Sequence, residues 1–178
     1  MLKNLKIKTK FLMAIAILAF ISLAGLAFVT LRFEEANSTS YNFLQNESTA
    51  AVYGPRGVAG AWTAINWLNR TVSQDPQSDK FTEFAARFNN ELSGARGRLE
   101  QIPAIVPSRK AAIDELVSAI DAMRQIGGEM IKAHAVGDKA LFDSMTVKLE
   151  QATIDFSAKS GANNTAMADL IKNGSDQL

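Results

Sequence analysis

SDKFTEFAARFNNELSGARGRLEQI, residues Ser78 to Ile102, sets Phe81, Phe84, Ala85, Phe88, Leu92, Ala95, Leu99 and Ile102 at steps of three and four. That spacing is one face of an α-helix; a half-buried strand would instead alternate every second residue. Ser78, a hydroxyl just ahead of the run, is the predicted N-cap. The same period returns on both sides. Upstream, Val58, Ala61, Trp62, Ile65, Leu68 and Val72 form a stripe that ends at Asp75-Pro76, because proline disfavours helical geometry in the residue before it. Gly54-Pro55 falls inside this stretch and predicts a kink or interruption. Downstream, Pro103 to Pro107 makes a turn. Ser108 is then placed to cap a third helix carrying Ile113, Leu116, Val117, Ile120, Met123, Met130 and Ile131, which Gly137 stops. Asp138 caps a last helix with Phe142, Met145, Leu149, Ala152 and Phe156; it turns polar over Lys159 to Thr165 and resumes at Met167 and Leu170.

No stretch alternates with period two, so the fold class expected is all-α. Four amphipathic helices, about 32–74, 78–102, 108–136 and 138–178, are joined by short connections. Each must bury its stripe against the next, which predicts an antiparallel up-and-down four-helix bundle. By helical rise the first and last run near 60 Å and the middle two near 40 Å, so the outer pair extends beyond the short pair at one end.

Ahead of the bundle stands FLMAIAILAFISLAGLAFVTL, Phe11 to Leu31, without a charge and long enough to cross about 30 Å of hydrocarbon. A cleaved signal peptide has a shorter apolar centre and ends in small-x-small, whereas this run ends in AFVTLRF. Lys3, Lys6, Lys8 and Lys10 precede it and Arg32, Glu34 and Glu35 follow, so the positive-inside rule puts the N-terminus in the cytoplasm. The expected organisation is a basic cytoplasmic segment (1–10), a transmembrane helix (11–31) continuous with the first bundle helix, and a domain outside the cytoplasm (32–178).

The formal charge of +1 conceals this asymmetry: residues 1–31 hold four lysines and no acid, and the rest holds 15 Lys+Arg against 18 Asp+Glu. No part of the main domain is basic enough to point to nucleic acid. With 0 Cys, disulfides and thiolate chemistry are excluded. GPRGVAG follows no strand and lacks the GK[ST] ending of a phosphate loop, there is no HExxH, and His134 has no helix-spaced second ligand. The expectation is no enzyme, no metal and no cofactor.

The opening MLKNLKIKTKFLMAIAILAF, together with this order of helices, resembles the N-terminal half of bacterial methyl-accepting chemotaxis receptors, with a membrane helix and a four-helix-bundle ligand-binding domain. Membrane histidine kinases share that sensor fold. The resemblance implies a sensor in the inner membrane with its domain in the periplasm. It implies a homodimer that meets a small molecule or a periplasmic binding protein and passes a displacement down the last helix. In that family a second membrane helix, a HAMP linker and a cytoplasmic signalling region follow. A membrane-tethered helical interaction protein without a small ligand is the alternative.

In the amino-acid receptors of that family, arginines near the distal end of the first helix meet the ligand carboxylate, with polar groups from the last helix. The matching segment here is WTAINWLNRT, Trp62 to Thr71, with one arginine. By rise alone Arg70 stands level with Phe142 and Asn66 with Thr146, which makes Asn66, Arg70 and Thr146 the candidate ligand contacts. The competing reading of Arg70 is a solvated helix-end charge. Five residues apart, Trp62 and Trp67 cannot share a face; Trp62 is expected in the core and Trp67 at a dimer interface or pocket wall. Arg56, beside the Pro55 kink, marks either a second cavity or an exposed charge.

Overall fold

The computed structural model describes residues 7–42 and 48–175, and in this region every regular element is helical. In chain order these are α1 (Ile7–Asn42), α2 (Ser48–Val72), α3 (Asp79–Leu99), a short α4 (Ile102–Ile105), a 3₁₀ turn (Pro107–Arg109), α5 (Lys110–Val136) and α6 (Lys139–Ser175). The chain divides into two units, one built on α1 and one holding α2 to α6. The expected continuity of the membrane helix with the first bundle helix crosses residues 43–47, which lie outside the described residues, as do residues 1–6 and 176–178.

α1 is apolar on every side. From Phe20 to Glu35 each residue is exposed, including Phe20, Ile21, Leu23, Leu26, Phe28, Val29, Leu31 and Phe33. Two polar side chains after the apolar stretch bond locally. Thr30 Oγ1 donates to the Leu26 carbonyl at 2.9 Å. Arg32 reaches Glu35 at 2.7 Å and lies 5.5 Å from the Phe28 ring centroid. Among the described residues no helix is long and apolar enough to cross a membrane. The side chains of Phe11 to Ala19, the first part of the 21-residue apolar run, lie outside them.

In the second unit α2 and α3 approach closely because α2 turns small residues toward α3. Ala50, Gly54, Gly57, Ala61, Ala64, Leu68 and Thr71, at steps of three and four, are all buried. A Cβ built on Gly57 would stand 2.8 Å from Leu99 Cγ, and one on Gly60 3.3 Å from Ala95 Cβ. Further along, Trp67 meets Phe84 with ring centroids 5.2 Å apart, so numbers rise on α2 as they fall on α3. α3 meets α5 the same way: Arg96 Nη1 donates to both Asp121 oxygens at 3.0 and 2.9 Å, Arg124 donates to Ser93 Oγ at 3.1 Å, and Phe88 fills the space left by Gly127. α6 lies against α5 and α2, with Trp62 edge-on to Phe156 at 5.9 Å. Phe88, Leu92, Leu99, Leu116, Ile120, Met123 and Phe156 are fully buried and form the centre of the core.

The helix ends marked by Ser78, Gly137 and Asp138 are present. Ser78 Oγ accepts from the Phe81 N–H at 3.2 Å and donates to the Asp75 carbonyl at 2.7 Å. Gly137 takes φ 71°, the left-handed conformation that ends a helix, with the Asp138 N–H bonded to the Ala133 carbonyl at 2.9 Å. Asp138 Oδ1 then accepts from the Leu141 N–H at 3.0 Å.

Three local expectations need correction. α2 runs through Pro55 without interruption. Pro55 forgoes a single bond, to the carbonyl four residues before it, and its fixed φ is compatible with the helix on either side. Ser108 does not cap α5: it sits inside the 3₁₀ turn, α5 opens at Lys110 with no side-chain cap, and the intervening segment coils into α4, burying Ile102 and Val106. Trp62 is 39% exposed rather than core. Its neighbour Ala61 takes the α3-facing position, and the residue after it is turned about 100° away.

Candidate functional site

α2 ends in Trp67-Leu-Asn-Arg70, and α3 carries Phe84-Ala-Ala-Arg87 near its start. An aromatic followed at the third place by arginine puts both on one helix face, and the antiparallel course of these two helices sets the pairs side by side. The half-buried Trp67 packs on Phe84 at a 44° tilt. The Arg70 and Arg87 guanidinium carbons lie 4.8 and 4.7 Å from the Trp67 ring centroid. A cation over an indole face gains roughly 0.5–1 kcal/mol at an exposed site, which helps two like charges share one platform. Glu83 pairs with Arg87 at 2.7 Å. Among the described residues no ion pair involves Arg70, so its planar fork is open to a carboxylate.

Of the predicted contacts, the structure brings Arg70 and Trp67 together. Asn66 is exposed on the next face of α2. Thr146 is exposed on α6, its Oγ1 donating to the Phe142 carbonyl at 2.9 Å. The register differs from the one counted by rise. Trp62 meets Phe156 and Gly54 faces Asn163. Continued residue for residue, this sets Arg70 opposite Lys148 and Asn66 opposite Ala152, not Phe142 and Thr146. Beyond the end of α2, the Gln74 carbonyl meets His134 Nε2 at 3.0 Å. Arg87 was not among the sequence candidates. The repeat of aromatic-x-x-Arg on consecutive helices is the signal that points to it.

His134, in the last turn of α5, lies between Phe81 and Phe142, with ring centroids 5.9 and 6.0 Å away. It borders a cleft of about 230 Å³ shared with Asp138 and Phe142. Two adjoining clefts of about 450 and 310 Å³ run between α5 and α6, sharing Ala122, Ile126 and Lys148. None of these is lined by Asn66, Arg70 or Thr146. The Arg96 guanidinium is held above its usual pKa, first by the hydrogen bond it donates to Glu100 and then by the charge of Asp121. It ties α3 to α5. Among the described residues no three His, Cys, Asp or Glu side chains gather as a metal site.

Compared with protein-family models, curated proteins and solved structures, the chain matches none.

Proposed function

We propose that the chain is the membrane-anchored sensor region of a chemotaxis-type receptor. In this reading α1 crosses the bacterial inner membrane, and α2, α3, α5 and α6 form an antiparallel four-helix bundle in the periplasm. The observation that carries it is the exposure of α1. Eight large apolar side chains from Phe20 to Phe33 stand uncovered. Each forgoes about 1.5–3 kcal/mol relative to burial, together roughly 12–24 kcal/mol, as large as the whole stability of a typical domain or larger. A helix apolar all round needs lipid or protein about it. The unbroken charge-free run from Phe11 and the lysines ahead of it favour lipid and set the direction of crossing.

The Trp67 platform supports a recognition role at the end of the bundle where α2 turns into α3. Two guanidinium groups on one indole suit a carboxylate, carried by a small molecule or by an acidic side chain of a binding protein. A homodimer is part of the reading. Occupancy would bias α6 between discrete packings against α2, a small sliding step rather than a continuous deformation. Val136, Val147 and Ile154, large apolar residues left exposed on α5 and α6, favour the second reading, a tethered protein that docks another along its helices.

The test uses the absence of native cysteine. In intact cells, Gln101→Cys should react with a membrane-impermeant maleimide, and Lys3→Cys should react only after lysis. Equal labelling of both, or the reverse order, would remove the receptor reading.

A further inference from the structure

The outer seam between α2 and α3 carries arginines along its length and few acids to meet them. α2 holds Arg56 and Arg70 and no carboxylate side chain. Gly60 stands one turn beyond Arg56 and two turns before Trp67, so all three lie on one face, and α3 repeats the spacing with Arg87, Gly94 and Arg98. The two glycines leave a shallow channel. The Arg98 guanidinium lies in it: a Cβ built on Gly60 would stand 3.0 Å from Arg98 Nη1, and one on Gly94 3.8 Å from Nη1 and Nη2.

Among the described residues Arg56, Arg70 and Arg98 take part in no ion pair, whereas Arg96, on the other side of α3, meets both Glu100 and Asp121. Of the acids on this face, Glu83 is paired with Arg87 at 2.7 Å, and Glu91 stands between Arg87 and Arg98. Four arginines against two glutamates leave the seam positive, in a domain whose residues 32–178 hold 15 Lys+Arg against 18 Asp+Glu.

We propose that this seam docks an acidic segment of a partner protein, with carboxylates spread over about 20 Å, the rise from Arg56 to Arg70. A positive line of this width attracts a single acidic stretch of chain, while the net negative charge of the domain as a whole opposes a large polyanion such as nucleic acid or an anionic bilayer. None of the three clefts described above is lined by these arginines, and an open surface favours a partner of large area over a small molecule. Trp67 supplies the aromatic anchor; tryptophan and arginine are enriched among the residues that carry most of the energy at protein interfaces. This rests on the reading of the Trp67 platform as a recognition surface, and it chooses a protein over a small molecule as the bearer of the carboxylates.

The experiment follows Trp67 emission in the full chain, held in nonionic detergent, with Trp62→Phe leaving one tryptophan. A glutamate peptide of about ten residues, long enough to cover the seam, should shift the emission saturably, one peptide per chain, and a lysine peptide of the same length should not. Arg56→Gln and Arg98→Gln should each weaken binding by about two- to fivefold, the worth of an exposed ion pair. Lys132→Gln and Lys139→Gln, at exposed positions on α5 and α6, remove the same charge and should leave binding unchanged. Equal weakening by all four substitutions, no saturable shift, or stronger binding of polyphosphate or phosphatidylglycerol vesicles at the same ionic strength would overturn the proposal. So would an emission that changes on dilution without peptide, the mark of a second copy covering the seam. Maleimide labelling of Lys3→Cys and Gln101→Cys tests the receptor reading separately, so either can fail alone.

Discussion

Gly127 and Gly128 stand side by side in the middle of α5, and alanine at each should change stability in opposite directions. A Cβ on Gly127 would lie 2.4 Å from Phe88 Cζ, 3.0 Å from Phe88 Cε1 and 3.1 Å from Leu68 Cδ2. Phe88 and Leu68 are fully buried, so neither can swing into solvent to make room. Overpacking of this kind costs typically about 1–3 kcal/mol. Replacing glycine by alanine in a helix returns roughly 1 kcal/mol. Gly127→Ala should therefore destabilise by up to about 2 kcal/mol, lowering Tm by several degrees in a chain of this size. A Cβ on Gly128 meets nothing within 4 Å. Gly128→Ala should keep the helix gain, about 1 kcal/mol, with Tm raised by roughly 3 °C. The assay is unfolding of the full chain followed by helical circular dichroism against temperature and urea. Phe88→Leu combined with Gly127→Ala should be less harmful than the single changes imply, because the smaller side chain vacates the contested space. If Gly127→Ala is as stable as the parent protein, Phe88 does not occupy the notch at Gly127 and the α3–α5 packing described above is wrong.

Gly137→Ala should destabilise by about 1–2 kcal/mol, because the side chain cannot comfortably take φ 71°, and Gly137→Asn should cost less; the same melts check both. Trp67→Ala should lose about 2 kcal/mol through the contacts with Phe84, Arg70 and Arg87, whereas Trp67→Phe should keep most of it. Equal melting of the two variants would mean that the ring carries no packing. Because the Arg96 pKa is raised, its ion pairing should count fully below the ordinary arginine value and fade only above it. The difference in stability between the parent protein and Arg96→Gln should then be flat from about pH 6 to 9 and shrink with added salt.

The sequence by itself determined the all-helical character, the period of each buried stripe and most helix ends. These are local: a repeat of three and four, Ser78 offering an oxygen to free N–H groups, Gly137 free to turn left-handed. Where a local signal has competitors of similar strength, it misleads. Ser108 is as good a cap as Ser78, but the apolar segment Ile102 to Val106 gains more by coiling against the core and carries Ser108 into a 3₁₀ turn. Only the tertiary structure decided which face of α2 is buried, since a stripe of glycine and alanine has little hydrophobicity to mark it and gains its value from how near α3 can come. It also decided the register of α6 on α2, which a count of residues from the turns does not supply. The meetings of Trp67 with Arg87 and of Asn163 with Arg109 were likewise decided by packing, because each pair joins elements that only the fold brings within reach.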